Sequence, residues 1–384
     1  MKFIYFGNDW FAENRTSSHH IAKRLGARFP MLYVEVPGLR APKANARDLR
    51  KLLRKLRMTL QPPQLVGPHF WRMTLPQIPL RRFAVVRAAN RVFSRLLMRR
   101  AIRKLGFDDA ISWFHVPHPG FLAKGLGERL TVFYCIDDYS KLPDVEGVSV
   151  QAMDDRLTET ADVVFACNES LLEARRPLNR NIHLSPHGVD ADLFALASSP
   201  GTSIPDELKF CARPIVGSWG LLDQRVDLSI IEYIARNRPN WTLLLIGHVG
   251  VDASVLKRWP NVVFSGVKPY IELPQWAKAI DVCILPYIQN SLNMQSSPLK
   301  LREYLASGKP IVAVPLPEAK LLGEAVKIAV DGPGFVSAIE EALASDTPEL
   351  ALRRQNAVEF NTWDATVASL LLQLQTELSL RSNG

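Results

Sequence analysis

In the stretch SSPLKLREYLASGKP, residues 296–310, Lys300 and Glu303 stand three positions apart. Helical spacing of three sets two side chains on one face. Ser296 or Ser297 is the expected N-cap, with Pro298 in the first turn. The free N–H groups and positive end of such a helix favour an anion, and Lys300 adds a full charge there. One turn later the Glu303 carboxylate suits the vicinal hydroxyls of a ribose. Gly308 closes the helix, and Lys309-Pro310 leads into the apolar run IVAVP. The pattern suits a nucleoside diphosphate lying end-on, phosphates at the helix start and ribose one turn on. A Lys–Glu pair at this spacing also decorates ordinary surface helices. The loop GSWG (217–220), directly after an apolar run, strengthens the ligand reading, because glycine lets backbone approach a ligand closely. HGVD (187–190) supplies a further turn.

A second group of chemistry-bearing residues lies in CIDDYS, where Asp137 and Asp138 follow an apolar run. A carboxylate at the carboxyl end of a strand can take the proton of an attacking hydroxyl. Either aspartate could serve; Asp138 could instead cap the following helix, and Asp137 could bind a neighbouring cation. Arg15, His19 and His20 follow the loop after the first apolar run and are candidates to orient a substrate. Other patterns mislead. DAD (190–192) imitates an Asp-X-Asp metal signature but sits in a turn, so no metal is expected. SGKP lacks the glycine spacing and the Ser/Thr of a P-loop, and FGNDWF is not a dinucleotide fingerprint.

The elements that must position these residues alternate. Apolar runs fall at 3–6, 31–36, 110–114, 132–136, 163–167 and 182–185, then at 214–217, 242–246, 262–265, 282–285, 311–314 and 326–329. Amphipathic stretches separate most of them, which predicts parallel sheets wrapped by helices. With 384 residues the chain suits two domains. The expected division is an acceptor-side domain over 1–192 and a Ser/Pro/Gly-rich linker over 193–208. A donor-side domain then runs over 209–352, and helices over 353–384 pack back towards the first. Ligands of such folds bind outside strand carboxyl ends, in clefts.

Charge divides unevenly. Residues 1–186 hold 30 Lys and Arg against 17 Asp and Glu, a net of +13. Residues 187–384 hold 17 against 21, a net of −4, which together give the overall +9. No acidic residue lies between Lys51 and Arg100. Two segments concentrate the basicity. RDLRKLLRKLRMTL (47–60) sets leucines on one helical face with cations, Arg54 and Lys55 among them, around the rest. In 83–105, Arg87, Arg91, Arg95 and Arg99 recur every four residues and form a winding ridge. Ordinary surface helices would mix signs, so the expected partner is an anionic membrane surface. Nucleic acid is disfavoured, because no aromatic residues interleave for base stacking. The N-terminus lacks the apolar run of a signal peptide, and no stretch reaches membrane-spanning length. Four scattered cysteines read as reduced core thiols. The expected location is cytoplasmic and peripheral, on the inner face of the cell membrane.

The C-terminal half resembles the donor domain of GT-B glycosyltransferases, in the glycosyltransferase 4-like group. IVGSWGLLDQRVDLSIIEYIARNRPNWTLLLIG, NVVFSGVKPYIELPQWAKAIDVCILPY and SSPLKLREYLASGKPIVA carry the resemblance, with SPHGVDADLF before them. The N-terminal half is similar, more loosely, to bacterial polysaccharide glycosyltransferases through NRTSSHHIAKRLGARFPMLYVEVPGLR and VFYCIDDYS. It has some resemblance to the xanthan glucuronosyltransferase. The resemblance implies an α/β fold of two Rossmann-like domains facing across a cleft. It puts Lys300 on the donor phosphates, Glu303 on the ribose, Gly217, Ser218 and Gly220 along the diphosphate, and the backbone of Val267 and Lys268 against the base. It also makes Asp137 the first choice of base for an inverting transfer. Two departures stand out: Gln295 where retaining members carry a second Glu, and no clear Arg-Lys pair after the glycine loop, Arg225 being nearest. The implied activity moves a sugar from a nucleotide sugar, usually a UDP-sugar, to a lipid-linked or other membrane-held saccharide in polysaccharide synthesis, with no further cofactor. A sugar-nucleotide epimerase of the same architecture, or a non-catalytic saccharide- or nucleotide-binding regulator, is the alternative.

Overall fold

The computed structural model describes residues 1–36, 38, 61–75, 84–143 and 145–382. The chain forms two units, residues 1–186 with 367–384, and residues 187–366.

The first unit holds an eight-stranded sheet: β1 (Phe3–Gly7), β2 (Met31–Glu35), β3 (Gln64–Gly67), β4 (Phe70–Thr74), β5 (Ile111–Phe114), β6 (Leu130–Cys135), β7 (Val163–Ala166) and β8 (Ile182–Leu184). Their spatial order is β3-β4-β2-β1-β5-β6-β7-β8, parallel except for β3 against β4. Strands covered on both faces read as continuous apolar runs. FIYFG of β1 and LTVFYC of β6 are buried at every position for that reason. The pair β3 and β4 escaped the sequence reading. Its Arg72 is buried mid-strand and holds Glu35 at the end of β2 in a bidentate pair, 2.6 Å on each side, with Thr74 donating to the same carboxylate. A charge inside a strand breaks the apolar signature, and only its partner on another strand makes burial tolerable.

The second unit holds β9 (Ile215–Trp219), β10 (Thr242–Ile246), β11 (Val262–Gly266), β12 (Val282–Leu285), β13 (Ile311–Ala313) and β14 (Lys327–Ile328). Their order is β11-β10-β9-β12-β13-β14, all parallel. The winding direction reverses at β9, and ligands of open α/β sheets bind at such switch points.

Residues 193–208, read as a linker, are structured. Helix Ala191–Ala195 and two short 3-10 turns carry Phe194, Ala197 and Leu208 into the core of the second unit. Their small and polar neighbours masked three buried anchors. Helix Trp363–Ser382 begins in the second unit and continues in the first, where Arg381 pairs with Asp162 and Gln373 meets His183 at 3.0 Å.

Candidate functional site

The chain leaves β9 through Gly220, whose φ of +99° is open only to glycine among common residues. Gly220 N–H donates to Ile246 O at the end of β10 (2.8 Å), and Leu222 N–H to His248 O (3.0 Å). These bonds knit the loops after β9 and β10 together. A side chain at Gly247 would lie 2.1 Å from the Gly220 carbonyl, so two glycines are needed for the crossing. Beside it is a small, shallow depression lined by Ser218, Gly220, Leu221, Gly247, Val249 and Lys300.

Helix Leu299–Ala306 follows β12 and presents Lys300 to this depression. Lys300 Nζ donates to Leu221 O (3.1 Å) and stands 5.9 Å from the centre of the Tyr287 ring. A Cβ on Gly220 would come within 2.7 Å of Lys300 Cε, so the glycine makes room for the lysine stem. Burial pushes the Lys300 ammonium down to about 8, opposed by Asp223 and Glu303 and reinforced by Arg225. Glu303, one turn on, accepts a hydrogen bond from Trp219 Nε1 (2.7 Å). Burial pushes its carboxyl up to about 7, against the pull of Trp219 and Lys300. The Tyr304 hydroxyl meets Ser218 Oγ (2.9 Å) and accepts from Trp219 N (3.3 Å), fixing the helix to the end of β9.

The sequence reading needs correction at the helix start. Pro298 is itself the N-cap residue, with no side-chain cap. Ser296 Oγ donates to Asn293 O (2.8 Å) and Ser297 Oγ to Glu318 Oε2 (2.8 Å), so both hydroxyls hold the loop. Arg302 pairs with the other Glu318 oxygen. Gly217 packs instead of lining a ligand: a Cβ there would strike Ile280 Cδ1 at 2.3 Å. Lys268 lies over the Trp276 ring at 4.0 Å and reaches Glu207 (3.2 Å), while Val267 is exposed on the neighbouring loop. Arg225 is 3.9 Å from Asp223 and close enough to act on Lys300; Asn293 Nδ2 anchors its carbonyl (3.0 Å).

In the first unit Asp137 is buried at the carboxyl end of β6, its Oδ1 accepting from Asp138 N–H (3.1 Å). Asp138 accepts from Ser140 N–H (3.2 Å) and pairs with Lys141 (3.1 Å), capping the 3-10 turn Tyr139–Lys141. Burial opposes its ionisation, but Ser140 and Lys141 outweigh that and hold the carboxyl below the usual range. His19 belongs to the fold: Nδ1 accepts from Thr16 N–H (3.1 Å) and Nε2–H donates to Asp9 O (2.8 Å), closing the start of helix Ser17–Arg28. Burial pushes this imidazole down to about 4, so it is neutral at pH 7. His20 is buried in the same helix, and Arg15 donates to Trp10 O (2.9 Å) at the surface. The histidine that sequence reasoning missed is His115, fully buried at the end of β5 between Tyr5 OH and Ser17 Oγ, both at 3.0 Å. The Tyr139 hydroxyl donates to its carbonyl (3.4 Å), tying the Asp137–Asp138 turn to β5.

Helix Ala84–Leu105 buries Asn90, Ser94, Met98 and Ile102 and exposes Arg91, Arg95 and Arg99. Arg95 donates to Phe121 O (3.1 Å) and Arg99 to Gly125 O (3.4 Å), so two of the three also brace the adjacent segment. Val85, Val92, Phe93 and Leu96 are exposed as well. Arg54, Lys55 and the Arg87 side chain lie outside the described residues. No described helix is long and apolar enough to cross a membrane.

Residues 216–346 match the family described as Glycosyl transferases group 1. The Bacillus subtilis (strain 168) protein TuaH, named as a teichuronic acid biosynthesis glycosyltransferase, is 29% identical over 228 residues, a match spanning 56% of this chain and 56% of TuaH. Sucrose-phosphate synthase from Thermosynechococcus elongatus superposes with a TM-score of 0.74 at 15% identity, covering 99% of each chain. HepE of Anabaena, in complex with UDP and glucose, gives 0.66 at 15% identity over 98% of this chain and 99% of its own. The E. coli trehalose-6-phosphate structure bound with UDP-2-fluoro glucose gives 0.69 at 15% identity over 97% and 99%. The chain therefore has the GT-B fold, and residues 216–346 of its second unit are similar to the glycosyl transferases group 1 family.

Proposed function

We propose that the chain transfers a sugar from a nucleotide sugar, of the UDP class, to a membrane-held saccharide in bacterial polysaccharide synthesis. One observation carries the reading: Lys300 and Glu303 stand one turn apart at the β9 switch point, beside a glycine-shaped depression. Two proteins of the same fold were crystallised with UDP or a UDP-sugar, which supports the choice of donor. In this reading the Lys300 ammonium neutralises charge on the diphosphate as the bond to the anomeric carbon breaks. Glu303 accepts from the ribose hydroxyls. Asp137 takes the proton of the acceptor hydroxyl as its oxygen forms the new glycosidic bond. The nucleotide sugar is substrate, and the proposal needs no further cofactor. A thermal-shift panel of nucleotide sugars tests it, because a ligand of the folded state raises apparent stability. UDP and one UDP-sugar are expected to raise Tm; a panel without any shift would remove the donor. Sugar transfer to an acceptor, as opposed to interconversion of the donor, then separates a transferase from an epimerase.

The acceptor assignment rests on helix Ala84–Leu105. At about 100° per residue, Val92 and Leu96 fall mid-way across the exposed face, between Arg95 and Arg99 on one side and Arg100 and Lys104 on the other. An apolar strip flanked by cations suits an anionic lipid surface, each cation contributing about 1 kcal/mol close to the headgroups. Binding to anionic vesicles is expected, weakening as salt rises, with little binding to neutral ones. Reversing Arg91, Arg100 and Lys104 to Glu should abolish it while sparing the Arg95 and Arg99 bonds to the neighbouring segment. Sedimentation independent of lipid charge would count against a membrane role.

A further inference from the structure

We infer that Trp219 is a positioning residue for the donor: its indole N–H aims and holds the Glu303 carboxylate that accepts the ribose hydroxyls. The inference rests on the proposed donor site and goes beyond it, because Trp219 itself is buried (1% exposed) in the core.

Three contacts fix the indole. Its face stacks on Phe194 with ring centres 5.9 Å apart and planes 6° from parallel. The Tyr304 ring meets it edge-on at 4.3 Å. Its backbone N–H is tied to the Tyr304 hydroxyl at 3.3 Å. A ring so confined has one direction for its Nε1–H, and that direction ends 2.7 Å away on Glu303 Oε2. A carboxylate oxygen carries two acceptor sites, so this bond orients the group and leaves the remaining sites for a ligand. A hydrogen bond from a neutral donor also favours the ionised carboxylate over the acid.

That second effect has consequences because Glu303 is finely balanced. Its carboxyl is pushed up by burial to about 7, and other groups face it from each neighbouring element. Lys300 on its own helix favours ionisation, as does the Tyr270 hydroxyl on the turn Tyr270–Glu272; Asp190, just before helix Ala191–Ala195, opposes it. Trp219 is the strongest of the groups that offset burial. Without its N–H, more of the protein would carry a protonated Glu303 at neutral pH, and a protonated carboxyl has lost part of its accepting capacity.

The test uses the full chain and UDP itself. Wild type is titrated calorimetrically between pH 6 and 9. Affinity is expected to fall as pH drops through about 7, where Glu303 takes up a proton. Trp219→Phe keeps an aromatic ring on Phe194 and removes the N–H together with part of the bicyclic ring, so the pH dependence of binding, and not its overall loss, is the readout. Its acid limb should move up by about one pH unit, which makes UDP about fivefold weaker at pH 7. Glu303→Gln should leave only the limb set by the terminal phosphate of UDP, whose second proton binds near about pH 6, and Trp219→Phe added to it should cost nothing more. Equal weakening of Trp219→Phe at every pH, or none, would reduce Trp219 to packing and overturn the inference. If wild type itself fails to bind UDP, the donor site has failed first, and the two failures are distinguishable. Should the phenylalanine variant not fold, nitrogen-15 spectra of wild type decide. One indole N–H is expected to titrate near pH 7 and to stop titrating in Glu303→Gln; no such resonance would overturn the inference as well.

Discussion

Lys300→Ala is expected to weaken UDP binding by about 10- to 100-fold, the range for removing a charged donor from a phosphate. The fold should survive. Among the described residues Lys300 Nζ donates to the Leu221 carbonyl, and the lysine lies at the edge of the depression. Lys300→Met separates packing from charge, since it keeps a stem against Gly220 and loses the ammonium. Glu303 needs the same care. Alanine there would strand the buried Trp219 N–H, an unsatisfied donor costing about 1–3 kcal/mol of stability. Glu303→Gln keeps an acceptor for the indole and removes the negative charge, so its loss of affinity reports on the ligand. Calorimetry with UDP on Lys300→Met and Glu303→Gln would decide the matter. Unchanged affinity in both would take away the basis of the donor site.

Asp137→Asn is expected to slow sugar transfer by about 10² to 10⁴ at saturating donor, the usual range for a general base. Asparagine keeps the shape of the side chain and an oxygen to accept from Asp138 N–H, so the turn after β6 should remain intact. UDP affinity, set in the other unit, should be unchanged. Asp138→Asn is the control: it removes the pair with Lys141 and weakens the cap on the 3-10 turn, without touching the proton transfer. Full turnover by Asp137→Asn, measured as UDP release in the presence of acceptor, would rule the residue out as the base.

The sequence alone determined the strands that lie inside the sheets and the helix that carries the proposed donor pair. Parallel strands covered on both faces need unbroken apolar runs, and FIYF, TLLLI and VCIL leave no other assignment. Lys300 and Glu303 were legible because a fixed helical period converts spacing into a shared face. The tertiary structure decided everything that depends on a partner distant in the chain. Arg72 becomes a strand residue only because Glu35 waits 37 positions earlier. Ser297 looks like a cap until Glu318 takes its hydroxyl, and His19 looks like a substrate ligand until Thr16 and Asp9 occupy both ring nitrogens. Trp219 meets Glu303 across 84 residues, a contact that no local pattern encodes. Hydrogen bonds of this kind arise where strand ends and helix starts converge at a switch point. Period and composition specify the elements; only the folded chain specifies which polar atoms are left facing one another.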